Sequence, residues 1–509
     1  MTVSDTLSPP NGPVLLSRSW DIVLIGMVVY GLLACGLMQS DTVFPYGQNL
    51  YDEYYLAILD GHLDLPPRVA QVEGHYTPDG VAYLYHGVAP LLSRFVFGWI
   101  WPFETWSLAS LSIWIWACLG TLCYHTALMK VAGRDFGKLG DQGVQLSRLL
   151  SIAVWFGSPG ILLAANTSFY HEPIVLAYAL TGGFVLIWSE FAFGSWALRQ
   201  LALPSALLAA IALHARPNVA IGLYLATVLL LLWLSAKSLR QNWLRVGFAL
   251  ALLGASGLGY LALNSARFGS LTTTHGSFGS SGSQYGFVFW GAEEADSERA
   301  EAFKEHGKFN AARIPHNLTI YLLDLPELHR YLDTARKELH AVSARFLAGS
   351  LGFIRIEQPY AGLVFLWPLW LLFGTYSVVA NRQHWKKLAL PVVGTAATTV
   401  LTLAYGTITL RYRIDVWPFF ALLALLGLSA LLPKVVATPR KASLKWGVGA
   451  CFLIGLLVSA HCVSQLRYFQ TGPLIKPSWS RQECEALVNY KKLPLSDLDR
   501  LCQPPRIGG

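Results

Sequence analysis

Asn218-Val219-Ala220-Ile221-Gly222-Leu223-Tyr224-Leu225-Ala226-Thr227-Val228-Leu229-Leu230-Leu231-Leu232-Trp233-Leu234-Ser235-Ala236 runs for 19 residues without a charge, and Lys237 closes it. As a helix rising about 1.5 Å per residue it extends about 28 Å, close to the thickness of a bilayer's hydrocarbon layer. Every backbone N–H and C=O in such a helix is satisfied internally, which is the condition for lying in lipid. Lys237, Arg240 and Arg245 follow, and a second apolar run occupies 246–263. The unit is a pair of spans joined by a short basic loop.

Working outward, comparable runs lie near 22–39, 107–128, 149–165, 173–190, 200–213, 360–380, 388–405, 414–432 and 446–465, with 200–213 the shortest. The whole chain is 54% hydrophobic and 13% charged, about half the ~25% charge of ordinary soluble chains. These features predict an all-α polytopic membrane protein of about eleven transmembrane helices. The net charge of +8 gathers in short loops: Lys130, Arg134, Lys138 and Arg148; Lys237, Arg240 and Arg245; Arg382, Lys386 and Lys387; Lys434, Arg440, Lys441 and Lys445. In an eleven-helix count all four loops fall on one side, so the orientation bias makes that side cytoplasmic, with the N-terminus inside and the C-terminus outside. Charge placed this way sets orientation and argues against a nucleic-acid partner.

The expected division is a cytoplasmic N-terminus (1–21), a first transmembrane helix (22–39), a first extracytoplasmic loop (40–106), helices two to seven (107–263), a second extracytoplasmic loop (264–358), helices eight to eleven (359–465) and an outer tail (466–509). No small-residue cleavage pattern follows the first run, which is therefore expected to remain as a helix. Of seven cysteines, Cys484 and Cys502 fall in the outer tail, where a disulfide is compatible with an oxidising compartment and free thiols are the alternative.

Both long loops fall on the outer face, and each is expected to carry amphipathic surface helices. In the first, Tyr51 to Leu59 reads as a short helix along the membrane surface. The second opens with a Gly/Ser/Thr-rich tract from Gly269 to Gly286. A charged helix is expected over Glu293–His306, and another carries Leu328, Leu332, Ala335, Leu339, Val342 and Phe346 at alternating spacings of four and three.

Polar residues where spans meet the outer face are the candidates for chemistry, because charge near hydrocarbon is seldom kept without a partner or a task. Asp52 and Glu53 are adjacent on one helix, so one is expected to face the protein and the other water. The inward carboxylate could serve as a general base, and a solvated acidic helix start is the plain alternative. Pro78-Asp79-Gly80 is turn chemistry inside an expected hairpin, with His75, Asp79 and His86 able to meet a sugar, a phosphate or a metal, although no established metal spacing is present. His171-Glu172 lies at the mouth of a helix hairpin and could orient an acceptor or simply cap the next span. Arg216 and the pair Arg411 and Arg413 lie at outer span ends, against the orientation bias. Guanidinium forks there suit a lipid phosphate, or pair with carboxylates such as Asp415.

In order and spacing these clusters resemble the C-type (GT-C fold) glycosyltransferases, which use polyprenyl-phosphate sugars, and especially bacterial members similar to protein O-mannosyltransferases and lipid A aminoarabinose transferases. The resemblance rests on Asp52, Glu53 and Tyr55; on His171-Glu172; on Arg216-Pro217; and on Asn264-Ser265-Ala266-Arg267-Phe268-Gly269. It continues through Ile314-Pro315-His316-Asn317-Leu318 and Arg411-Tyr412 with Asp415 and Pro418. A longer gap between the first span and Asp-Glu leaves both Asp41 and Asp52 open for the catalytic position.

What the resemblance implies is transfer of a sugar from a polyprenyl-phosphate donor to a hydroxyl of a glycan, glycolipid or protein acceptor, with inversion. The setting would be the outer face of a bacterial cytoplasmic membrane, in cell-envelope glycan or glycolipid synthesis. Asp52, Glu53, His171 and Glu172 would form the catalytic set. Tyr55, Asp79, His86, Arg216, Arg267, Arg411 and Arg413 would bind substrate. No cofactor is required by these residues, and a divalent metal is compatible with them. The competing class is a lipid or glycolipid transporter, whose repeated or paired broken helices are not found in this sequence.

Overall fold

The computed structural model describes residues 19–35, 50–70, 73–77, 80–103, 107–167, 171–272, 283–289, 294–345, 354–437 and 442–469, with 481–482, 485 and 502. Asp41, Asp79, Phe346, Cys484 and most of the Gly/Ser/Thr tract lie outside the described residues. The principal helices are α1 (Trp20–Ala34), α2 (Leu50–Leu59), α3 (Leu91–Phe97), α4 (Ala109–Phe136), α5 (Asp141–Phe156), α6 (Pro159–Ala164), α7 (His171–Phe193) and α8 (Ala202–Ala215). They continue as α9 (Pro217–Phe268), α10 (Glu298–His306), α11 (Ile314–Leu323), α12 (Arg330–Arg345), α13 (Pro368–Tyr376), α14 (Arg382–Leu403), α15 (Leu410–Ala437) and α16 (Ala442–Phe469). Strands are short: β1 (Asp64–Leu65), β2 (Gly74–Tyr76), β3 (Ala82–Leu84), β4 (Gln284–Tyr285), β5 (Arg355–Ile356) and β6 (Thr407–Ile408).

This is an all-α polytopic membrane protein. Among the described residues, eight helices are long and apolar enough to cross a bilayer, and Trp20–Ala34 and Pro368–Val379 are shorter apolar helices. The run expected over 149–165 breaks into α5 and α6 where Ser158 is extended before Pro159, as sterics before proline demand. The carbonyl of Gly157 at this break accepts from Trp370 Nε1 at 2.7 Å. Residues 218–236 and the apolar run that follows form the 52-residue α9, yet α9 is not a straight rod. Tyr224 Oη donates to Leu253 O at 3.2 Å, whereas 29 residues of straight helix would separate them by about 44 Å. The chain folds back between the spans Pro217–Lys237 and Arg240–Phe268, at the basic loop the sequence places there.

Basic groups gather at one end of the bundle. Lys130 pairs with Glu190, Arg148 with Asp21, and Lys387 Nζ reaches the carbonyls of Phe191 and Ala192 at 3.3 Å. The two long loops are woven together at the other end. A four-stranded sheet in the order β1-β3-β2-β4 joins the first loop to the second, and β5 pairs with β6 in parallel. The hairpin expected around Gly80 is β2–β3, closed by Thr77 N–H to Val81 O at 3.0 Å, with Gly80 at φ +75°. In place of the helix expected over Glu293–His306, α10 begins at Glu298, where the Ser297 hydroxyl accepts from Ala300 N at 3.3 Å.

One expectation is overturned. The α2 helix does not lie on the surface with one carboxylate outward: Leu50, Tyr51, Asp52, Glu53, Tyr54, Tyr55 and Ala57 are all buried. The reason is a cation, Arg94, brought in by α3 to meet the acid side, while apolar residues from the sheet and the disulfide-bonded Cys502 pack around the tyrosines.

Candidate active site

The mouth where the loops meet the bundle holds two charged clusters. The first is built on α3, Leu91-Leu92-Ser93-Arg94-Phe95-Val96-Phe97, an apolar helix whose single charge is fully buried. Arg94 Nε donates to Asp52 Oδ1 at 2.9 Å, and its two terminal nitrogens grip Glu172, one of them at 2.8 Å to Oε1. The second Asp52 oxygen accepts from Ser107 Oγ at 2.5 Å and from Leu108 N at 3.3 Å. Burial pushes the Asp52 carboxyl above its usual range, and Arg94 opposes that shift. Glu53 is equally buried beside it.

The second cluster is cationic. Arg216 is held extended at φ −150° before Pro217, which opens α9. Its fork meets Asp415 at 2.7 Å through both Nε and Nη2, and Asn218 Nδ2 donates to the same carboxylate at 2.8 Å. The guanidinium carbons of Arg216 and Arg411 lie 5.2 and 5.5 Å from the centre of the Tyr412 ring. Arg411 also reaches Glu357 at 3.3 Å and keeps 22% of its side chain exposed.

His171 and Glu172, the first two residues of α7, join the clusters. Glu172 faces Arg94, while His171, whose Nε2 lies 2.5 Å from Asn166 Nδ2, faces the charges of Arg411 and Arg216. An acid set and a cation set thus stand side by side at one helix start.

Other candidates lie elsewhere. Arg413 is turned into the bundle, fully buried, with Nη2 2.8 Å from Asp324 Oδ2. The Asp324 carboxylate also meets His340 at 2.8 Å. Arg267 clamps the first loop to the end of α9, donating to Leu84 O at 2.6 Å and His86 O at 3.3 Å. Tyr55 packs on Phe95 and Phe103, and the His86 ring stacks near Tyr85 with centroids 3.8 Å apart. Among the described residues no three His, Cys, Asp or Glu side chains form a metal-holding group.

Sequence reasoning missed Arg94, Glu73, Asp324 and Glu357. The signal for Arg94 was present: it is a cation in an outer loop, against the orientation bias, like Arg216 and Arg411.

Fold and mouth define a polytopic membrane protein with a charged site at one end of its bundle. No protein-family model matches this chain, and no curated protein matches it. Among solved structures it is similar to the Archaeoglobus fulgidus oligosaccharyltransferase in its apo form, with a TM-score of 0.46 and 14% identity over 96% of this chain and 61% of that one. It is likewise similar to the archaeal oligosaccharyltransferase AglB from Archaeoglobus fulgidus in complex with an inhibitory peptide and a dolichol-phosphate, with a TM-score of 0.43, 14% identity and the same coverages of 96% and 61%. The chain spans about three fifths of the length of these neighbours. Likeness of this degree assigns no activity.

Proposed function

We propose that this protein is a membrane glycosyltransferase that moves a sugar from a polyprenyl-phosphate donor to an acceptor hydroxyl, on the outer face of a cytoplasmic membrane. The observation that carries the reading is the junction at His171-Glu172 of a buried acid cluster with a cationic one. Inverting transfer needs both: a carboxylate to take the acceptor proton, and fixed positive charge to meet the leaving phosphate. Arg411 supplies the cation with exposed surface, and Arg216, oriented by Asp415, supports it. Asp52 is the base in this reading. The Ser107 hydroxyl at 2.5 Å from its Oδ2 occupies the place an acceptor hydroxyl would take, and Arg94 fixes the carboxylate's orientation.

Reconstituted protein supplied with radiolabelled undecaprenyl-phosphate hexoses and cell-envelope glycan fractions tests this. Label is expected to pass from lipid to a hydroxyl acceptor, and Asp52→Asn is expected to abolish that passage while lipid binding persists. Movement of intact labelled lipid across the vesicle without cleavage would overturn the reading in favour of a transporter.

A further inference from the structure

Gly74 pairs with Leu84 across the β2–β3 hairpin, so the next pair outward is Glu73 with Tyr85. Cross-strand partners share a face, and alternate residues rejoin it. Glu73, His75, Tyr83 and Tyr85 therefore lie on one face, and His75 is also in register with Tyr285 of β4. Side-chain contacts agree: Tyr85 Oη donates to Glu73 Oε2 at 3.0 Å, and the His75 ring lies 4.7 Å from Tyr85 and 6.0 Å from Tyr285. Arg299 sits over Tyr285, 5.7 Å from its centre. Of the cationic cluster, Arg411 is near enough for its field to reach Glu73, Tyr85 and Tyr285.

Glu73 differs from five other inner carboxylates. Asp52, Glu172, Glu190, Asp324 and Asp415 each have an arginine, lysine or histidine within 4 Å. Among the described residues Glu73 has none, and its one hydrogen bond is the tyrosine's. An inner carboxylate without a bonded cation is a cost to the fold, and burial raises its pKa accordingly. Half-buried in the field of Arg411, to which the proposed function assigns the lipid phosphate, and bordered by Tyr85, it has the makeup of a carbohydrate site: a carboxylate to accept from hydroxyls, with aromatic side chains beside it.

We infer that Glu73, with Tyr85 and Tyr285, forms the subsite that reads the donor's sugar, a neutral hexose hydrogen-bonded through its hydroxyls to Glu73. Glu73 is here a specificity determinant that takes no proton. The inference rests on the glycosyltransferase reading, and binding measurements separate the two. Wild-type protein in nanodiscs is titrated with undecaprenyl phosphate and with undecaprenyl-phosphate glucose, mannose and galactose. At least one hexose-bearing lipid is expected to bind about tenfold or more tighter than the bare lipid, the worth of a hydrogen bond to a charged group. Glu73→Gln and Tyr85→Phe are expected to erase most of that preference and leave bare-lipid affinity within a factor of about two. If wild type binds none of the lipids, the glycosyltransferase reading itself fails. If it binds the bare and hexose-bearing lipids equally, or if Glu73→Gln keeps the preference, the subsite is overturned while the wider reading stands. Melting curves on each variant establish that the protein measured is folded.

Discussion

Asp52 and Glu73 are both carboxylates of the first loop, and they are kept in opposite ways. Asp52 is sealed: Arg94, Ser107 and Leu108 occupy its two oxygens, and no solvent reaches it. Glu73 is partly open, bonded by Tyr85 and lacking a cation within 4 Å among the described residues. The first arrangement holds elements together, since Asp52 is on α2, Arg94 on α3 and Glu172 on α7. The second leaves a half-buried carboxylate with a tyrosine as its bonded partner among the described residues, at a cost to stability. Removing the Asp52 carboxylate is expected to cost the fold its Arg94 bond as well as the proposed base, whereas removing the Glu73 carboxylate is expected to cost the fold little.

The largest effect is expected at Arg94. Arg94→Ala leaves two carboxylates buried without their shared cation, and breaking a buried pair in this way costs about 3–5 kcal/mol. Thermal unfolding in detergent should record a large fall in Tm, and an unchanged Tm would mean that the triad is not what joins α2, α3 and α7.

A smaller loss is expected at Arg411. Replacing a charge-assisted fork costs on the order of 1.5–3 kcal/mol, so Arg411→Ala should weaken undecaprenyl-phosphate binding roughly ten- to a hundredfold. Arg411→Lys keeps the charge without the planar fork and should fall between. Equal affinity in all three proteins would remove Arg411 from the lipid-phosphate site.

The smallest effect carries an unusual sign. Glu73's folded pKa lies above its unfolded value through burial, with Arg411, Tyr85 and Arg299 pulling it down and Glu357 pushing it up. The folded state thus holds the proton more tightly, and stability from this group is full below the unfolded pKa and lost as pH rises through the folded one. Glu73→Gln should therefore raise Tm at pH 7, by about 1–3 °C, and the gain should vanish below about pH 3, where both states hold the proton. A fall in Tm at pH 7 would show Glu73 to be structural after all.

Much of the bundle was legible in sequence because lipid imposes one rule on every span. The α9 hairpin illustrates it: Lys237, Arg240 and Arg245 marked the turn between two apolar runs. The mouth was less legible. His171-Glu172, Arg216 and Arg411 stood out as polar groups at span ends, yet which of them would meet depended on pairings across 78 residues for Arg94 with Glu172 and 199 for Arg216 with Asp415. Arg411 and Arg413 looked alike in sequence, one turn-half apart on α15. Helical geometry sends them to different neighbours, Arg411 to Glu357 and the mouth, Arg413 to Asp324 inside the bundle.

That divergence tests directly whether the mouth binds a lipid phosphate through Arg411. The measurement is the Kd of undecaprenyl phosphate for folded wild-type, Arg411→Ala and Arg413→Ala proteins, with Tm recorded on the same samples. Arg411→Ala is expected to retain its Tm and lose affinity, while Arg413→Ala is expected to lose Tm and its folded fraction to bind as wild type does. The reverse pattern, or an Arg411→Ala protein that binds normally, would contradict that role of Arg411.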